Sequence, residues 1–240
     1  MPGSWEIARL RENRLLLAIP LPPSDLVNFP FVESLGGIQL PPGSEFMRLS
    51  GSPPGHGHNQ AALTALQNGY HLGLLDWNMR CTPTAFLQLL ARGLDLVSGL
   101  YYLPHWPHEP AAFNERKGAD GSLGVEAIFG WKPGDLFPAG LVGAGLVIYR
   151  RRLLEALFAR WPRPFEHGLD VAPVLSSDGS MVPPLGESLV ASYRARQLGF
   201  QPYVDTQVVG LASVKVRIGP KWLVQGPKLD NPLLGVVAAG

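Results

Sequence analysis

The chain has one cysteine, Cys81, in 240 residues. That excludes an intramolecular disulfide framework. Charge of one sign is also missing: 20 Lys and Arg stand against 19 Asp and Glu, for a net charge of +1. A balanced chain gives no bulk electrostatic reason to expect nucleic-acid binding. Long apolar runs are absent too. The longest, Ala139 to Tyr149, falls far short of the roughly 20 residues of a membrane-spanning helix. The Leu15–Leu21 run follows basic residues but lacks a small-residue cleavage site, and it reads as a buried strand rather than a signal peptide. The expectation is a soluble, cytoplasmic protein.

Apolar residues make up 46% of the chain, enough for a substantial core. With them come 28 glycines and 24 prolines. In so apolar a chain that mixture predicts tight turns and ordered loops. One domain over 1–240 is expected, with a core of about 14–218 and a Pro-rich tail over 219–240.

Arg14–Leu21 is a continuous apolar run closed by prolines, as in a strand buried on both faces. A short helix is expected near Asp25–Leu35 and a strand over Glu45–Ser50. The stretch Gly51–Asn59 reads as a Gly/Pro/His loop leading into a helix over Gln60–Asn68, which Gly69 stops. Tyr70–Leu75 is the next strand and ends at Asp76. Thr82-Pro83 starts a helix to about Arg92. Leu94–Tyr102 is a strand, and a hairpin is expected near 111–114 and 124–131. Leu141–Tyr149 is strand-like and Arg151–Arg160 helical. A long loop covers 162–185, then a helix over Glu187–Leu198 and a strand over Phe200–Val209. Alternating strands and helices predict a mostly parallel sheet with helices on both faces. Ligands of such sheets bind beyond the carboxyl ends of the strands. Asp76 sits at one such end.

Asp76-Trp77-Asn78 is the most informative segment. In an extended backbone, residues two apart point the same way, so Asp76 and Asn78 could offer oxygens to one hard cation such as Mg²⁺ or Mn²⁺. The competing reading makes them ordinary turn residues before the next helix. His56 with His58, and His105 with His108, are pairs of imidazoles without the helical spacing of a hydrolytic zinc motif. Trp106, Trp131 and Trp161 are candidate sugar platforms, with packing the favoured role for Trp161. Arg150-Arg151-Arg152 reads as a solvated basic face. Gly143 and Gly145 either let the backbone approach a ligand or permit tight strand packing.

Taken in order, these segments resemble the GT-A glycosyltransferases, in particular the small bacterial and phage enzymes of the family-two type. The resemblance runs from about Leu15 to Leu211. Ala18-Ile-Pro20 looks like the opening strand. His58-Asn59 stands where the family has Arg-Asn. Leu74-Leu-Asp76-Trp-Asn78-Met looks like Leu-Asp-x-Asp-Met. Gly143-Ala-Gly145 with Ile148–Arg151 looks like its Gly-x-Gly and Ile-Arg-Arg segment, and Gly186–Phe200 like its Glu-Asp helix.

The resemblance implies a single GT-A-like, Rossmann-like domain. It implies hexosyltransferase-type transfer from a nucleoside-diphosphate sugar to an acceptor hydroxyl, with Mn²⁺ or Mg²⁺. Ile19, Pro20, His58, Asn59, Asp76, Trp77, Gly143 and Gly145 would bind the donor. Asp76 and Asn78 would hold the ion, and Glu187 with Ser188 would form the catalytic segment. The sequence departs from the pattern at Asn78 for the second Asp, Ser188 for the Asp of Glu-Asp, Leu211 for a metal-binding His, and His58 for the Arg. Those changes motivate an alternative, a catalytically inactive relative serving as a binding or assembly module.

Overall fold

A computed structural model describes residues 13–21, 27, 29–50, 53–103, 108–117, 123–171, 174–175, 181–182 and 185–212. Trp106, His105, the start of the helix expected from Asp25 and the tail over 219–240 lie outside the described residues. The strands are β1 (Leu15–Pro20), β2 (Glu45–Leu49), β3 (His71–Leu75), β4 (Met79–Arg80), β5 (Leu96–Leu100), β6 (Ala112–Lys117), β7 (Leu123–Ala127), β8 (Leu136–Pro138), β9 (Leu141–Val142), β10 (Leu146–Tyr149), β11 (Val174–Leu175), β12 (Met181–Val182), β13 (Pro202–Val209) and β14 (Leu211–Ala212). The helices are α1 (Phe29–Gly37), α2 (Pro54–Gln67), α3 (Ala85–Ala91), α4 (Arg151–Arg160) and α5 (Glu187–Gln197).

Seven strands form one sheet in the order β2-β1-β3-β10-β5-β13-β8. β1 pairs in parallel with β2 and β3, and β5 in parallel with β13. The sheet is mixed rather than uniform, because β10 runs antiparallel between β3 and β5, and β8 antiparallel beside β13. An apolar run reports burial on both faces and carries no direction, so β10 was legible as a strand but not as a reversed one.

Period-two alternation divides the core. Leu16, Ala18, Leu72, Leu74, Val147 and Tyr149 face the alanines of α2 and the leucines of α4. Leu15, Leu17, Leu75, Leu146 and Ile148 face Phe31 of α1 and Phe86 and Leu89 of α3. Gly73 makes room for that second layer, since a Cβ there would lie 3.0 Å from Leu15 and 3.1 Å from the Phe86 ring.

Two helix starts differ from expectation. α3 begins at Ala85 after a turn through Pro83-Thr84, rather than at Thr82-Pro83. α2 begins at Pro54, within the stretch read as a loop, with Pro in the first turn. The N–H of Gly55 donates to Glu187 Oε2 at 3.1 Å, across 132 residues of sequence. That tertiary cap satisfies a group no local residue reaches. Gly69, at φ 71°, closes the helix as predicted.

Candidate active site at the carboxyl edge of the sheet

The parallel register pairs Ala18 with Leu74, so the ends of β1 and β3, at Pro20 and Asp76, share one edge. Ile19 is buried there, and Pro20 and Trp77 are half-buried. The Asp76 N–H donates to the Gly145 carbonyl at 2.9 Å. The Met79 N–H donates to the Asp76 carbonyl at 2.9 Å and closes a turn. Asp76 and Asn78 are therefore turn residues. The extended geometry expected to aim both at one ion is not the one adopted.

The Asp76 carboxylate makes no hydrogen bond or ion pair with the described residues. It keeps partial solvent access, yet protein surrounds it densely enough that burial pushes its pKa up to about 6. A carboxylate in that state gains from a proton or a cation. Among the described residues no group of three or more His, Cys, Asp or Glu side chains is arranged to hold a metal ion. What the turn offers is one carboxylate and one amide oxygen. That donor set fits a hard ion shared with substrate phosphates, not one held wholly by protein.

Gly143 and Gly145 serve packing. A Cβ on Gly143 would overlap the Tyr101 hydroxyl, and one on Gly145 would lie 2.8 Å from Tyr101 Cζ. The space expected to admit a ligand is filled by the Tyr101 ring. The Gly145 N–H donates to the Tyr101 hydroxyl at 2.9 Å. Burial first, and then the charge of Asp76, raise the Tyr101 pKa beyond its ordinary range. Tyr101 thus fixes the segment whose carbonyl holds the Asp76 backbone.

His58 and Asn59 are buried in α2. His58 sits edge-on to Phe165 with ring centroids 5.9 Å apart. Both its ring nitrogens lack hydrogen-bond partners among the described residues, and burial lowers its pKa to about 4. It is a neutral side chain packed into the core rather than presented at the edge. Asn59 holds the loop after α4 instead: its Nδ2 donates to Glu166 Oε1 at 3.0 Å, and its Oδ1 accepts the Phe165 N–H at 3.1 Å.

α2 and α5 each precede a strand of the parallel set, so both begin at the edge that carries Asp76. Their starts meet through Glu187 and Gly55. Around them lies an open depression of ≈ 530 Å³, lined by Pro53, His56, Glu166, His167 and Glu187. Ser188, next in the helix, is exposed. Nothing in the sequence singles out Glu166 and His167. They lie in a Pro/Gly-containing loop whose shape depends on Arg194, a residue of α5 that is 2% exposed. Its guanidinium donates to the Arg163 and Glu166 carbonyls at 2.9 and 2.8 Å and to both oxygens of Asp170. No local pattern signals such a clasp.

The remaining candidates resolve individually. Leu211 is brought to the expected place, since β14 pairs with β4 directly after the Asp76 turn. An exposed leucine there has no metal-binding atom. Arg194 stacks on Trp161 at 5.3 Å, which gives that ring a packing role. Trp131 is half-buried against the core. His108 Nδ1 contacts the Leu103 carbonyl. Arg151 pairs with Glu155 at 2.8 Å and Arg152 with Asp95 on a solvated face, but Arg150 is half-buried and donates to the Leu90 carbonyl at 2.7 Å.

No family model matches the chain, and no curated protein matches it by sequence. Solved structures do. A197 from STIV, a viral protein of GT-A-like fold, matches with a TM-score of 0.54 at 16% identity, over 84% of this chain and 86% of that one. GalNAc-T7, a GT-A glycosyltransferase crystallised with UDP, GalNAc and Mn²⁺, gives 0.47 at 10% identity, over 83% of this chain and 44% of that one. No described helix is long and apolar enough to cross a membrane. A single α/β domain with a mixed, mostly parallel seven-stranded sheet and a GT-A-like fold is what this chain shares with A197.

Proposed function

We propose that this protein is glycosyltransferase-like, binding a nucleoside-diphosphate sugar at the carboxyl edge and transferring the sugar to an acceptor hydroxyl. The observation that carries the reading is Asp76: a carboxylate at a strand end, accessible, unpaired among the described residues and raised to about 6. Fold alone would not suffice. The nucleotide lies over Ile19, Pro20 and Trp77. The diphosphate lies at the Asp76–Met79 turn, where Asp76 would be the carboxylate ligand of a Mn²⁺ or Mg²⁺ shared with it and the Asn78 amide the nearest second oxygen donor. When bound, the ion stabilises negative charge on the departing diphosphate. Asp76 orients that group, and Tyr101 holds its backbone anchor in place.

Calorimetry with UDP-, GDP- and CMP-sugars, with and without Mn²⁺, tests the proposal. One donor binds in a metal-dependent way, and Asp76→Ala abolishes that dependence. Absence of binding by every donor refutes it. Asn78, Ser188 and Leu211 favour a second reading, a binding module without turnover. Equal background rates of donor hydrolysis in wild type, Asp76→Ala and Glu187→Gln would select it.

A further inference from the structure

The depression between the starts of α2 and α5 contains more chemistry than donor binding requires. Four of its lining residues are ionisable: His56, Glu166, His167 and Glu187. Two are already engaged. His167 Nε2 lies 2.7 Å from the Leu185 carbonyl, so that nitrogen carries the proton and accepts none. Glu187 Oε2 accepts the Gly55 N–H. His56 is the more exposed of the two histidines. Its Nδ1 lies 3.4 Å from Glu166 Oε1, and its side chain is 55% exposed. A carboxylate facing Nδ1 favours the tautomer with the proton there, which leaves the lone pair on Nε2.

Glu166 is held for that role. Burial would raise its pKa, but hydrogen bonds from Asn59 and Arg163, with the Arg163 charge, outweigh burial and keep it below the usual carboxylate range. Asn59 Nδ2 fixes Oε1 and Arg163 fixes Oε2 at 3.3 Å. Arg194 clasps the Glu166 carbonyl from below. Burying a guanidinium is costly, and here its hydrogen bonds go to the loop that presents Glu166 and His167.

We infer that His56 is the base that accepts the acceptor proton, and that Glu166 is the residue that positions it. The inference rests on the glycosyl-transfer reading above. In the step, the acceptor O–H proton goes to His56 Nε2 as the acceptor oxygen bonds to the sugar's anomeric carbon. The bond from that carbon to the diphosphate oxygen breaks, and the nucleoside diphosphate leaves with the electron pair. No oxidant or reductant is needed. This assigns proton transfer at a site where Ser188 is a poor base and Glu187 is tied to the start of α2.

The test uses the donor found by calorimetry, with water as acceptor and nucleoside diphosphate release as readout. Positioned general bases contribute roughly 10²–10⁴-fold. His56→Ala is expected to lose at least about 10²-fold in kcat with donor affinity within about twofold, and imidazole in the buffer restores part of the rate. Glu166→Gln loses about tenfold in kcat with donor KM unchanged. Glu187→Gln keeps an oxygen for the Gly55 N–H and loses less than His56→Ala. Thermal melts confirm that each variant folds. A wild-type rate in His56→Ala overturns the assignment, as does a loss in Glu187→Gln exceeding that in His56→Ala. Donor binding without wild-type turnover also overturns it, while sparing the binding proposal. Failure of wild type to bind any donor removes both, and calorimetry alone reveals that case.

Discussion

Replacing Asp76 with asparagine is expected to stabilise the metal-free protein above neutral pH. Burial moves the Asp76 pKa from 3.8 to about 6. The folded state therefore holds the Asp76 proton more tightly than the unfolded state. As pH rises through the interval from about 4 to 6, the unfolded chain releases that proton first, and stability falls. Each pKa unit is about 1.4 kcal/mol, so the ionised carboxylate costs the fold about 3 kcal/mol from pH 7 upward. The amide of the variant has nearly the same shape and no charge to desolvate. Urea unfolding of both proteins from pH 4 to 8 measures the difference. The gain of Asp76→Asn should be near zero at pH 4 and reach about 3 kcal/mol by pH 7.5. At about 2–4 °C per kcal/mol for a chain of this size, that is a rise in Tm of about 6–12 °C. Mn²⁺ with bound donor should narrow the gap by stabilising wild type alone. A pH-independent difference, or a less stable variant at pH 7.5, would refute the reasoning.

Four further outcomes follow from the packing. Gly143→Ala forces a methyl into the Tyr101 hydroxyl and should cost about 1–3 kcal/mol in urea unfolding. Tyr101→Phe leaves the buried Gly145 N–H without its acceptor, costing about 1–3 kcal/mol, and should weaken donor binding through the Asp76 anchor. His58 is held neutral with a pKa of about 4 against 6.5, so wild type loses about 3 kcal/mol as pH falls from 6.5 toward 4; His58→Leu should flatten that limb. Asp205 is fully buried and paired with Arg92 at 2.7 Å, so Arg92→Met, which strands the charge, should cost about 3–5 kcal/mol, more than Asp205→Asn.

The fold was largely legible because its signals are local. Leu72 to Leu75 is an apolar run that ends in an acid, and Arg151–Arg160 is a helix of the expected span. The site was legible only where one residue marks a strand end, as Asp76 does. Elsewhere the decisive partner is far away in sequence. Two glycines read as a ligand approach are instead shaped around Tyr101, more than forty residues upstream. His58 and Asn59 matched a motif by order, but the helix begins at Pro54 and turns them into the core. Glu166 and His167 gave no signal at all, because Arg194 and Asn59 create their geometry.

Energetic cost separates residues that serve the fold from those that serve a ligand. Asn78, Ser188 and Leu211 lie at partly or fully exposed positions, where substitution changes stability little. Their departures from the family pattern are cheap, and they say little about the rest of the edge. Asp76 is different. It destabilises the fold when ionised, forms no hydrogen bond or ion pair with the described residues, and would be improved as structure by an amide. Glu166 and Arg194 differ from Asp76, because their hydrogen bonds hold the loop that seats Phe165 in the core. A group that costs stability without structural return is best explained by what it binds. By that criterion Asp76 is the working part of this edge, since its charge is held against the preference of the fold while the altered motif positions around it cost little to change.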